Sequence, residues 1–191
     1  MVRVGSHIPD IEYLKVLLIE DDLDDVLLVE EALEDSLSLE VDMNCVGSLR
    51  EGLELLSQND YDVIISDLGL PDTSGLEAIQ TLVEADSSTP ILCLTGNSGP
   101  GWPERLMSSG ADEYLDKGHM AGSLGRAMIN TVIRAKLVSQ LHDALLERDA
   151  ALEVAANKIE ELSDRVAEIE MNLCDLKDCL ACERIDCDRR R

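Results

Sequence analysis

Four short apolar runs along the 191-residue chain each stop at a reactive side chain. Lys15-Val16-Leu17-Leu18-Ile19 leads to Glu20-Asp21-Asp22, and Val63-Ile64-Ile65-Ser66 to Asp67. Ile91-Leu92-Cys93-Leu94 leads to Thr95, and Tyr114-Leu115-Asp116 to Lys117. The first three runs are built of β-branched residues and leucine without polar alternation, the pattern of strands covered on both faces in a parallel sheet. Between the runs the apolar spacing turns helical. Leu27, Leu28, Glu31 and Leu33 follow the first run; Leu49, Leu53, Leu55 and Leu56 precede the second; Leu76, Ile79, Leu82 and Val83 precede the third. Strand and helix in alternation predict a doubly wound α/β fold. Asp22 is placed to cap the helix after the first run. Trp102-Pro103, after a glycine-rich stretch over 96–101, predicts a helix that begins near Pro103.

In open α/β sheets, side chains just past the carboxyl ends of the strands converge on a crevice where ligands bind. Every reactive residue named above lies on that side, so two carboxylates, a third carboxylate, a hydroxyl and an ammonium are predicted to meet there. A hard cation such as Mg2+ takes oxygen ligands, holds on to several waters and is bound by one or two carboxylates plus a phosphate oxygen. Three crowded carboxylates repel one another unless a cation neutralises them, so metal and cluster explain each other. A carboxylate can also attack phosphorus to give an acyl phosphate. Phosphoryl transfer asks the protein mainly for positioning and charge stabilisation, which a lysine and a hydroxyl supply.

From about Lys15 to Leu137 the chain resembles the receiver domain of bacterial two-component response regulators. The resemblance rests on Ile19-Glu20-Asp21-Asp22, on Ser66-Asp67-Leu68-Gly69-Leu70-Pro71-Asp72 with Gly75, on Leu94-Thr95-Gly96, and on the run from Gly110 to Lys117. It implies a five-stranded parallel sheet of the CheY-like, flavodoxin-like kind, with strand order 2-1-3-4-5. It implies Mg2+, with Mn2+ as the alternative, held by Glu20, Asp21, Asp67 and the backbone carbonyl of Gly69. Asp67 would be the phosphoacceptor, Thr95 and Lys117 would contact the phosphate, and Tyr114 would be the aromatic switch that turns inward afterwards. A sensor histidine kinase or a histidine phosphotransfer protein would be the donor, and the chain would be a self-phosphorylating acceptor, not a turnover enzyme. Gly118 stands where the family often has proline, Gly96 follows the threonine, and Gly69 and Asn97 occupy the positions that tune phosphate lifetime. A phosphohydrolase of the haloacid dehalogenase type would need a second aspartate where Gly69 stands. A scaffold that no longer accepts phosphate is the other rival, and the intact set of site residues argues against it.

The formal charge of -24 argues against nucleic acid or anionic lipid as a partner. No apolar run approaches the roughly 20 residues that span a bilayer, and residues 1–10 lack the apolar core of a signal peptide, so a cytoplasmic location is expected. Cys45 and Cys93, within predicted strands, are expected to behave as small buried hydrophobes. The chain divides on this reading into an arm over 1–13, the receiver over 14–137, a coiled-coil helix over 138–180 and a basic, cysteine-containing tail over 181–191.

From Val138 onward the apolar residues fall into heptads. Leu145, Leu152, Ile159, Val166, Leu173 and Leu180 mark one seam position, and Leu141, Ala155, Leu162, Ile169 and Leu176 the other, with Arg148 the misfit. With no glycine or proline after Gly125, the last receiver helix is predicted to run on into this segment. β-Branched Ile159 and Val166 at one seam position with Leu162 and Leu176 at the other favour a parallel two-stranded coiled coil, hence a homodimer, with Ile169 counting against it. Arg165 and Glu170 are placed to pair across it. The rival is a helix docked on the receiver or on another protein. Four cysteines close the chain: Cys174, Cys179, Cys182 and Cys187. They allow a metal or redox site, for which a dimer would supply the second Cys-x-x-Cys hook, or bridges between helices, or no function.

Overall fold

The computed structural model describes residues 11–96, 99 and 101–188, with side chains as far as 173. It divides into two compact units, Met1–Ser139 and Gln140–Arg191. In the first, five strands run β1 (Tyr13–Ile19), β2 (Glu40–Val46), β3 (Val63–Asp67), β4 (Ile91–Thr95) and β5 (Glu113–Asp116). All pair in parallel in the order β2-β1-β3-β4-β5, as expected. The helices are α1 (Leu23–Ser36), α2 (Leu49–Leu56), α3 (Gly75–Ala85), α4 (Trp102–Ser108) and α5 (Leu124–Asp188), with a 3-10 turn at Lys117–His119.

The unbroken apolar runs are explained by two cores, one on each face of the sheet. Successive side chains of a strand point to opposite faces. Leu14, Val16 and Leu18 of β1, with Val63 and Ile65 of β3, therefore pack against Val29, Ala32 and Leu33 of α1 and Leu124, Met128 and Val132 of α5. Leu17, Ile19, Ile64, Ile91 and Cys93 turn the other way, onto Ala78, Ile79 and Leu82 of α3 and Leu106 of α4. A strand apolar at every position is thus the sequence of a central strand covered twice.

One expectation is corrected. Cys45 is exposed near the carboxyl end of the edge strand β2, which is paired on one side alone, whereas Cys93 in the central strand β4 is buried. In α1 the buried stripe is Val29, Ala32 and Leu33, whereas Leu27 and Leu28 are exposed. The helix was legible, but its inward stripe is set by Val29, Ala32 and Leu33, and Leu27 and Leu28 lie off it.

In α5 the residues Leu124, Met128 and Val132, spaced four apart, are buried. Beyond Ser139 the apolar residues are exposed, from Leu141 and Leu145 through Ile159, Leu162, Val166 and Ile169 to Leu173. No helix among the described residues is long and apolar enough to cross a membrane.

Candidate functional site

Sheet register assembles the site. Ile19 is level with Ser66, Asp67 with Leu94, and Thr95 with Asp116, so the first residues past β1 and β5 and the last residues of β3 and β4 share one edge. Glu20 is pinned there by its backbone N–H, which donates to the Val46 carbonyl at 2.9 Å. Its Oε1 accepts from the Asp22 N–H at 3.2 Å. Asp22 caps α1 by accepting from the Asp24 N–H at 2.9 Å. At the end of β3, Asp67 Oδ1 accepts from the Leu68 N–H at 2.8 Å. A Cβ on residue 69 would approach Asp67 Oδ2 to 2.9 Å, so glycine there keeps that oxygen uncrowded.

Glu20 and Asp67 are buried while Asp21 is exposed, and one carboxylate oxygen from each lies within 4.8 Å of the others. Lys117 enters this group from the turn after β5. Its Nζ lies 2.7 Å from Glu20 Oε2, 3.1 Å from Asp67 Oδ1 and 2.6 Å from Asp25 Oδ2. Asp25 is the functional neighbour that the sequence reading missed. It stands in the first turn of α1, where an acidic residue is ordinarily explained by the helix dipole. Its spacing of five from Glu20 was the only further signal. Burial raises the Glu20 carboxyl above its ordinary range, and the Asp67 charge adds to this while the hydrogen bond from Lys117 opposes it. Burial also opposes the Lys117 charge, but hydrogen bonds to Asp25 and Glu20 and the charge of Asp67 win, holding the ammonium above its ordinary range.

Three carboxylates thus meet one ammonium, and a fourth, Asp21, stands beside Glu20 and Asp67. The donor set is all oxygen, partly buried and in negative excess, which fits a hard divalent cation of the Mg2+ kind and disfavours a soft one. Thr95 is buried, and its Oγ1 accepts from the indole Nε1 of Trp102 at 3.3 Å. Tyr114 lies on β5 with its Cα opposite Cys93, and its side chain is exposed. Asp72 ties the loop after β3 to the start of α2, accepting from the N–H groups of Leu49 and Arg50, each at 3.1 Å. The side chains of Cys174, Cys179, Cys182 and Cys187 lie outside the described residues.

A doubly wound sheet in this order, with an acidic pair, an aspartate, a hydroxyl and a lysine gathered at its carboxyl edge, defines a signalling domain of the flavodoxin-like α/β class. The chain belongs to the response regulator receiver domain family, whose model matches residues 16–128. The cell cycle response regulator CtrA of Brucella ovis is 36% identical over 152 residues, 76% of this chain and 64% of that protein. The chain therefore spans less than two thirds of the length of this curated relative. A receiver domain protein of Clostridium thermocellum superposes with a TM-score of 0.57 at 28% identity, over 65% of this chain and 98% of that one. The receiver domain of a sensor histidine kinase from Pseudomonas aeruginosa PAO1, solved with magnesium coordinated in its active-site cleft, shares the fold. It has a TM-score of 0.54 at 23% identity, over 62% of this chain and 97% of that one. The chain accordingly carries a receiver domain of two-component signalling.

Proposed function

We propose that Asp67 is the phosphoacceptor of a Mg2+-dependent response regulator and that the phosphorylated receiver signals through a dimeric coiled coil. The observation that carries the first half is the meeting of Lys117 Nζ with Glu20 and Asp67, residues far apart in sequence, beside the free face of Asp21. Glu20, Asp21 and Asp67, with the carbonyl of Gly69, would hold the cation, which when bound neutralises charge on the transferring phosphoryl group. Asp67 Oδ2, the oxygen that Gly69 leaves clear, attacks phosphorus of a phosphohistidine donor. An O–P bond forms, the N–P bond breaks, and the imidazole nitrogen takes a proton. Lys117 exchanges carboxylate partners for phosphoryl oxygens, and the Thr95 hydroxyl donates to another. Tyr114, exposed in this state, is the aromatic that follows Thr95 inward.

The donor is a sensor histidine kinase or a histidine phosphotransfer protein, and the chain acts as a stoichiometric acceptor, not as a turnover enzyme. Mass spectrometry after incubation with acetyl phosphate and Mg2+ tests this. One added phosphoryl group that vanishes in Asp67→Asn is the expected result. An unmodified wild-type chain would return the receiver to a scaffold.

The second half rests on α5. The helix that buries Leu124, Met128 and Val132 in the receiver core carries, beyond Ser139, a seam of exposed Leu145, Leu152, Ile159, Leu162 and Val166. A heptad seam is buried by a second copy. The phosphate shifts a two-state receiver, and α5 passes that bias to the dimer. Sedimentation with and without Mg2+ and beryllofluoride reads it: a shifted association or partner affinity is expected, and identical behaviour in both states removes the relay.

A further inference from the structure

Trp102 is the single tryptophan of the chain and opens α4, half-buried and packed against the core on that face of the sheet. Besides the indole bond to Thr95 Oγ1, its ring lies 5.0 Å from the guanidinium carbon of Arg105, within the range of a cation–π contact. An indole N–H can only donate, so the Thr95 hydroxyl is the acceptor here and its own hydrogen is directed away from the ring. A rigid, packed ring holds such a direction at little cost in conformational freedom, unlike a flexible donor.

We infer that Trp102 is a positioning residue for Thr95: by donating to Oγ1 it sets the hydroxyl to donate to a phosphoryl oxygen on Asp67, and it carries that event to the first turn of α4 and to Arg105. The inference rests on Asp67 being the phosphoacceptor. Tyr114 does not fill this place, since it lies on β5 with its side chain exposed. The occupied state is felt at α4 because the ring that touches the hydroxyl is itself the helix's first residue.

Beryllofluoride with Mg2+ is titrated into the full chain, into Trp102→Phe, into Thr95→Val and into the double variant. Fluorine NMR reports occupancy without depending on tryptophan, and in the wild type tryptophan emission is followed in parallel. The emission is expected to change in step with occupancy. Trp102→Phe, which removes the donor and keeps an aromatic ring, is expected to need about 3- to 10-fold more beryllofluoride, the worth of one hydrogen bond. In the Thr95→Val background the same substitution is expected to add no further loss, because the two residues act through one contact. An equal penalty in both backgrounds, or no penalty in either, overturns the inference. So does flat wild-type emission at full occupancy, a measurement that needs no substitution to fold. A wild type that takes up no beryllofluoride overturns the Asp67 reading instead.

Discussion

The two halves of α5 are made of similar residues and meet opposite fates. Leu124, Met128 and Val132 are fully buried between the helix and the sheet, whereas Ile159 is 69% exposed and Val166 54%. The first half is stabilised by the receiver's own core; the second carries an exposed apolar seam at heptad spacing. A helix therefore reveals by its burial, and not by its composition, whether it completes a domain or awaits a partner.

That contrast can be broken at either end. Leu18→Ala, in the middle of β1 and fully buried, is expected to cost about 2–5 kcal/mol of receiver stability, read from the midpoint of urea unfolding at constant slope. Ile159→Asp is expected to leave that receiver transition in place and to turn a sedimenting dimer into a monomer, since a charge in a coiled-coil seam removes its apolar contact. A variant that stays dimeric would assign the seam to a different partner.

A smaller effect comes from Asp72. The N–H of Arg50 leads the interactions that hold its carboxyl below the ordinary range; burial opposes, and the Leu49 N–H adds to the lowering. A depressed folded value means that the contribution is complete above the unfolded pKa of about 3.9 and disappears as pH falls through the lower folded value. Asp72→Ala is expected to lower stability modestly near neutrality, since solvent screens the exposed carboxyl, and by less once the wild-type carboxyl is protonated. Urea unfolding along a pH series checks it. The mildest test separates a central strand from an edge. The Cys93 thiol is pushed up to about 12, chiefly by burial and secondarily by the Asp112 charge, so it stays protonated and sealed at pH 8. Peptide mapping after iodoacetamide is expected to find Cys45 alkylated and Cys93 intact in the native chain; modification of both would mean that β4 opens.

The central strands β1, β3 and β4 and the site were legible because buried parallel strands write themselves as unbroken apolar runs that end on the residue the crevice uses. The edge strands β2 and β5 carry no such run. Glu20, Asp67 and Thr95 meet at one edge for that reason. Less legible was whatever depends on which way a helix faces. The leucines of α1 gave a helix but not its buried stripe, and Asp25 looked like an ordinary first-turn acid until the fold brought Lys117 within 2.6 Å of it. The acidic composition was read as repulsion and as a site. It also serves as backbone anchoring: Asp62 accepts from the Lys15 N–H at 3.0 Å and Asp112 from the Ile91 N–H at 2.9 Å, fixing the entries of β1 and β4. Periodicity cannot reveal such bonds, because they join residues distant in sequence.

Lys117 and Glu20 are 97 positions apart along the chain. A ribosome-bound or truncated fragment that ends before β5 holds all of the acids and lacks their counter-charge, so it cannot assemble the pocket. The charge balance of the pocket thus arrives only after the last strand of the sheet has been synthesised.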